Sequence, residues 1–183
     1  MSAYVLTRAG EAALVDTGVE GSADAIEASL RAVGLGWDAV GHVVLTHHHA
    51  DHVGSTAEVM RRATGAGAYA GAADIPSIAA GPLTAVGDDD EVFGLRIVAS
   101  PGHTAGSISV LDPLAGVLVA GDALRTAAGR PALPSPQFTV DMDQARQSVV
   151  KLGALAFETL LVGHGEPLVG AASAMVAELG ATS

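Results

Sequence analysis

Four histidines and an aspartate fall within six positions of the chain, in the stretch Thr46-His47-His48-His49-Ala50-Asp51-His52-Val53-Gly54. Imidazole and carboxylate are the side chains that Zn²⁺ or Fe²⁺ accepts where no thiolate is at hand. His47, His49 and Asp51 are two residues apart, so in near-extended backbone all three point the same way. His52 then faces elsewhere, which suits a second ion beside the first. An expression tag is a poor explanation, because tags lie at termini and are not interrupted by Ala-Asp.

Three more residues share one local form: an apolar run ends, and a histidine or aspartate stands next to glycine. They are His103 in Pro101-Gly102-His103-Thr104, Asp122 in Gly121-Asp122 and His164 in Gly163-His164-Gly165. Taken singly, these read as a loop histidine, a helix cap and a surface residue; beside the histidine cluster they read together as ligands. Asp16, in Asp16-Thr17-Gly18, also ends an apolar run, and taken alone it reads as a turn or cap residue. Glycine at such corners lets the backbone turn sharply and bring a side chain close to an ion.

The elements that must position these residues alternate between strand and helix. Ala3–Arg8 and Ala12–Asp16 read as a hairpin about the turn Ala9-Gly10-Glu11. Ser22 is the expected N-cap of a helix over Ala23–Val33, with Gly34 as its stop. The β-branched run His42–Leu45 is a buried strand that ends at the histidine cluster, and Thr56–Ala63 is helical in pattern. Ala66–Ala70 is a short strand and Ala72–Gly87 is loop-like. The acidic run Asp88-Asp89-Asp90-Glu91 lacks the ligand spacing of an EF-hand and reads as a solvated turn. Leu95–Ala99, Ile108–Asp112, Val117–Ala120 and Thr159–Val162 are strands. The segment 123–140 carries Pro131, Pro134 and Pro136 and reads as a long ordered loop of the lid or binding kind. Asp141 and Gln144 open a helix that runs to about Leu155, and Ala171–Leu179 is a last amphipathic segment.

Composition bounds what such a site serves. A chain of 183 residues fits one domain, spanning residues 1–183, large enough to bury roughly 70% of its unfolded surface. It is 49% hydrophobic but 3% aromatic, so Ala, Val, Leu and Ile must build the core. The absence of cysteine removes disulfides, thiolate ligands and cysteine nucleophiles. A net charge of −11 argues against a nucleic-acid partner. No apolar run approaches the ~20 residues of a membrane span, and Met1-Ser2-Ala3-Tyr4 lacks the features of a secretory signal. The expectation is a cytoplasmic protein acting on a small molecule, its oligomeric state unspecified.

The five motifs, in this order and spanning nearly the whole chain, resemble the metallo-β-lactamase superfamily. The resemblance implies an α/β fold, the four-layer αβ/βα sandwich, in which two mixed sheets face each other between helices and the site lies at one edge. It implies that His47, His49 and His103 hold one metal and that Asp51, His52 and His164 hold another. Asp122 bridges the two, and Asp16 orients ligands by hydrogen bonds. His42 and His48 are left without a ligand role. The metals are two Zn²⁺, with Fe or Mn as alternatives, and Asp51 or Asp122 takes a proton from the attacking water. The ligand set is similar to that of the glyoxalase II-like thioester hydrolases. Glyoxalase II proper carries an added C-terminal helical domain that helps bind glutathione, so another acyl thioester or ester is the expected substrate in place of a glutathione one. A lactonase, an enzyme type that often places a tyrosine at the site, is an alternative. So are a one-iron persulfide dioxygenase and a metal-binding scaffold without turnover. Arg125 and Arg130 are candidates for contacts to an acidic substrate, against the plainer reading of two solvated arginines.

Overall fold

The structure is a computed structural model and describes residues 1–182. The first sheet has the order β1-β2-β3-β4-β5, formed by Tyr4–Arg8 (β1), Glu11–Val15 (β2), Val40–Leu45 (β3), Gly67–Gly71 (β4) and Thr84–Val86 (β5). The strands β2 to β5 run parallel, and β1 pairs antiparallel with β2 at the edge. Helices α1 (Ala23–Ala32), α2 (Ala50–Val53) and α3 (Thr56–Arg62) occupy the crossovers. The second sheet contains Glu91–Val92 (β6), Leu95–Ala99 (β7), Ile108–Asp112 (β8) and Val117–Val119 (β9). A hairpin of Arg125–Ala127 (β10) and Arg130–Ala132 (β11) stands apart from both sheets. Helix α4 (Met142–Gly153) leads to Thr159–Leu161 (β12) and Leu168–Val169 (β13), which complete the second sheet in the order β13-β12-β9-β8-β7-β6, and α5 (Ala172–Thr182) follows.

Period-2 alternation along the strands produces the layers. In β2, Ala12 and Leu14 join α1 and α3 in one core, whereas Ala13 and Val15 face the opposite sheet. In β8 and β9, Ile108, Val110 and Val119 fill the space between the sheets, while Leu111 and Leu118 pack on Val149 and Leu152 of α4 and Val176 of α5. Three apolar layers therefore separate four layers of secondary structure, the αβ/βα sandwich. Val, Leu, Ile and Ala dominate all three, with Phe157 the one aromatic in the described buried core. Among the described residues no helix is long and apolar enough to cross a membrane.

Several boundaries differ from the sequence expectation. Ser22 makes no side-chain cap to α1; its backbone N–H instead meets Ser55 Oγ at 2.8 Å. The stretch 72–87 holds β5 and a short 3-10 turn at Ile75–Ser77. The acidic run is a turn at Asp88 and Asp89, tied down by Lys151 to Asp88 and Arg96 to Asp89, while its last acid, Glu91, opens β6. Asp141 does cap α4, accepting from the N–H of Gln144 at 2.9 Å.

Strand direction explains where the motifs meet. The parallel strands β2, β3 and β4 share one C-terminal edge. In the second sheet β12 is parallel to β9, and two antiparallel steps return β7 to the same direction. Asp16, the histidine loop, His103, Asp122 and His164 thus all leave strand ends on one side. The two sheets are joined at that edge by the N–H of Ile108, donated to the Thr46 carbonyl at 2.8 Å.

Candidate metal centre

The stretch after β3 does not remain extended. His49 precedes a turn of helix (φ −65°, ψ 142°), so Ala50–Val53 coils and Asp51 leaves the line of His47 and His49. This corrects the expectation that these three residues share one direction. The ligand atoms of His47, His49 and His103 lie within 4.8 Å of one another, and those of Asp51, His52 and His164 do likewise. Asp122 stands between the groups. Its Oδ1 is 3.2 Å from His52 Nε2, and its Oδ2 is 3.5 Å from His103 Nε2 and 3.4 Å from His164 Nε2. All seven residues expected as ligands are thereby brought together.

Asp16 holds this arrangement from behind. It is 2% exposed. Its Oδ1 accepts the N–H of Thr46 at 2.7 Å and its Oδ2 accepts the Thr46 hydroxyl at 2.8 Å. The same Oδ2 is 2.7 Å from His52 Nδ1, which fixes the ring and aims Nε2 at Asp122. Thr17 secures the backbone, its N–H and hydroxyl both donating to the His52 carbonyl. Gly163 is needed for space: a Cβ there would collide with Asp122 Oδ1 and lie 2.6 Å from His52 Cε1.

Electrostatics separates the imidazoles. Burial and the neighbouring rings hold His47 well below the ordinary histidine value. Burial lowers His49 and, against the pull of Asp122, takes His103 down to about 4. These three are neutral at pH 7, the form whose lone pair a cation uses. Burial also opposes a charge on His52, but the Asp16 and Asp122 carboxylates override it and raise the ring to about 10. Burial works against ionised Asp122 in turn, and His52 outweighs it, so the carboxyl titrates below its usual range.

The side chains fit a divalent ion on an independent observation. His47 Nε2, His52 Nε2 and Asp122 Oδ1 are buried and have no hydrogen-bond partner. An unpaired buried group costs about 1–3 kcal/mol, and that applies to His47 Nε2. His52 Nε2 and Asp122 Oδ1 lie 3.2 Å apart without hydrogen-bond geometry. Such a cluster of nitrogen and oxygen donors matches what a cation accepts.

The wall facing the histidines comes from the segment 123–140, expected from the sequence to be a binding loop. A cavity of about 720 Å³ opens over His49, Asp51, His103, Asp122 and His164, and its other side is Leu124, Arg125, Thr126, Pro134, Ser135 and Phe138. The segment expected to be a long loop is thus the β10–β11 hairpin followed by a 3-10 turn at Pro136–Phe138, and it does line the site. Of the two arginines expected there, Arg125 lines the cavity. Arg130 instead pairs with Glu178 of α5 at 2.7 Å on the surface. Neither tyrosine lines the cavity: Tyr4 donates to the Val162 carbonyl, and Tyr69 lies 3.3 Å from His42 Nδ1.

Asp74 escaped the sequence reading. It is 2% exposed and accepts from the N–H groups of His48 and Gly106 and from the Thr104 hydroxyl at 2.6–2.9 Å. One carboxylate thereby ties the His47–His49 loop to the loop of His103. Asp74 stands three residues past Gly71, inside the stretch read as a loop, with no glycine beside it.

Known proteins agree with this picture. A sequence profile of the metallo-beta-lactamase superfamily matches residues 2–164. Metallo-beta-lactamase domain-containing protein 1 of Xenopus laevis is 34% identical over 164 residues, 84% of this chain and 66% of that protein. A hydroxyacylglutathione hydrolase of Cereibacter sphaeroides (strain ATCC 17029 / ATH 2.4.9) is 36% identical over 138 residues, covering 70% of this chain and 49% of the relative. The chain thus spans about half the length of that hydrolase. A metallo-beta-lactamase family protein from Thermus thermophilus superposes with a TM-score of 0.75 at 25% identity, over 98% of this chain and 73% of that one. With the profile spanning most of its length and the fold and clustered side chains in accord, the chain belongs to the metallo-beta-lactamase superfamily, whose members are typically metal-dependent hydrolases.

Proposed function

We propose that the protein is a hydrolase that works with two divalent ions, zinc by preference, and cleaves an ester-like bond, a thioester of the glyoxalase II type. The observation that carries this reading is the place of Asp122, within 3.5 Å of His52, His103 and His164 and so in reach of both histidine groups. Similarity to hydroxyacylglutathione hydrolases over 70% of the chain supports the thioester.

In this reading His47, His49 and His103 would hold one ion and Asp51, His52 and His164 the other, with Asp122 in reach of both groups. Such a pair, when bound, would polarise a carbonyl and lower the pKa of a water molecule towards about 7. The chain's own residues do the rest. Asp16 keeps the Nδ1 hydrogen of His52, so that Nε2 alone faces the site. Asp51, whose Oδ2 is 3.0 Å from His164 Nε2, stands at the cavity surface and accepts the proton of the attacking water, with Asp122 as the deeper alternative. Leu124, Pro134 and Phe138 give the substrate an apolar wall and thin out the water around it.

A panel of acyl thioesters, lactones and a glutathione persulfide, run at neutral pH with oxygen uptake recorded, tests the reading. We expect thioester cleavage without oxygen consumption. Turnover of lactones alone would move the protein to the lactonase reading. Oxygen uptake with persulfide and a single iron would make it a dioxygenase, and no turnover in a metal-loaded protein would make it a scaffold.

A further inference from the structure

A neutral histidine offers a lone pair at one ring nitrogen only, and the group placed against the other nitrogen decides which one it is. For His47 that group is Thr46. Its hydroxyl donates to Asp16 Oδ2 at 2.8 Å, and its Oγ1 is 3.1 Å from His47 Nδ1. With the hydroxyl hydrogen committed to the carboxylate, Oγ1 meets the ring as an acceptor. Nδ1 then carries the ring hydrogen, and Nε2 keeps its lone pair for the site.

The same device recurs at His103, built from a residue 36 positions away. The Thr139 hydroxyl donates to the Ser135 carbonyl at 2.9 Å, and its Oγ1 is 3.3 Å from His103 Nδ1. Ser135 and Thr139 bracket the 3-10 turn at Pro136–Phe138. Two backbone bonds extend the contact. The N–H of Val140 donates to the His103 carbonyl at 3.2 Å, and that of Asp141 to the Gly102 carbonyl at 2.9 Å. Gly102 itself is pressed on α4, where a Cβ would run into Ala145. The backbone of His103 is thus held in place, and its ring is buried at 2% exposure, where bulk water has little access to Nδ1. On the far side of the ring Nε2 is 3.0 Å from His49 Nδ1 and 3.5 Å from Asp122 Oδ2, among the other ligand atoms.

We propose that Thr139 is a positioning residue of the metal centre: it keeps the hydrogen of His103 on Nδ1 and leaves the Nε2 lone pair to the ion. Ser135, which takes the Thr139 hydrogen, lines the cavity. The wall that meets the substrate therefore also sets this ligand. The inference rests on the metal-binding part of the reading above and not on the choice of a thioester.

The test titrates zinc into metal-free wild type, Thr139→Val, Thr139→Ala and Thr139→Ser, and follows the imidazole N–H protons of the zinc-loaded proteins by NMR. Valine keeps the shape and removes the hydroxyl, and Thr139→Ala reads the same loss if the valine variant folds poorly. Both are expected to bind one of the two zinc ions about 10–100-fold more weakly, the scale for groups that orient ligands. Thr139→Ser keeps a hydroxyl and restores most of the affinity. The Nδ1 hydrogen of His103 should give a slowly exchanging signal in wild type and Thr139→Ser and lose it to exchange in the other two. That of His47, held by Thr46, stays in all four. Zinc affinity left intact in Thr139→Val and Thr139→Ala overturns the inference. So does a loss that serine fails to repair, or a His103 signal indifferent to the hydroxyl. If wild type takes up no zinc, the metal reading fails and the inference falls with it, an outcome distinct from equal zinc affinity in all four proteins.

Discussion

Asp16 and Asp74 are two buried carboxylates with the same task, and only one of them announces it in the sequence. Asp16 takes a left-handed backbone (φ 63°) at the end of β2, a conformation Asp tolerates better than most residues. From there it reaches Thr46 and His52. Asp-Thr-Gly closing an apolar strand is a visible corner, so its place could be read. Asp74 lies in a Gly- and Ala-rich stretch without periodicity, and its partners Thr104 and Gly106 are 30 and 32 residues away. Nothing local reveals a contact at that separation. Replacing Asp74 with Ala strands the buried N–H of Gly106 and frees the loop of His103. We expect a loss of about 2–4 kcal/mol in stability, and metal affinity reduced by about 10–100-fold, the scale for residues that orient ligands. Urea unfolding and metal titration of that variant check both, and native metal affinity would refute the positioning role.

At the level of elements, two hairpins make the comparison. Ala9-Gly10 joins β1 to β2 and Ala128-Gly129 joins β10 to β11, and in both pairs the two residues have positive φ. Such turns match the twist of the strands they connect. The first was legible because the flanking strands are apolar. The second was not, because Arg125–Ala127 and Arg130–Ala132 are polar, short and interrupted by Pro131, which reads as loop. The same Ala-Gly pair was the signal that could have found it. This hairpin does more than line the cavity. The N–H of Thr126 donates to the His164 carbonyl at 3.2 Å, and its hydroxyl donates to the Glu166 carbonyl at 2.7 Å. Thr126→Val keeps the shape and removes the hydroxyl bond. We expect a cost of about 1 kcal/mol in stability and a several-fold weaker second metal, followed by stepwise metal titration. Identical titration curves for variant and wild type would show that the hydroxyl bond to Glu166 does not steady His164.

Across the whole molecule, chemistry occupies one edge of the sandwich and an ion pair fastens the other. Arg8, at the end of β1, meets Asp112, at the end of β8, at 2.7 Å, joining the two sheets away from the site. Burial opposes the Asp112 charge, but the N–H groups of Ala115 and Leu114 and the Arg8 guanidinium prevail and hold its carboxyl below the ordinary 3.8. A carboxyl lowered on folding contributes stability that is present above pH 3.8 and is lost as pH falls through its depressed value. Asp112→Asn should cost about 1–3 kcal/mol at neutral pH and flatten the decline of stability below pH 4. An acid limb as steep as in wild type would contradict this.

The fold itself was legible because each motif ends an apolar strand and the motifs fall in one order. Their convergence was not, since it depends on strand pairing between residues far apart in the chain. Convergence on a pair of cations is also the claim most open to direct measurement. Metal content of the purified protein, by mass spectrometry after dialysis, should be two divalent ions per chain, falling to one or none in Asp122→Ala. One ion or none in wild type, or unchanged content in Asp122→Ala, would contradict it.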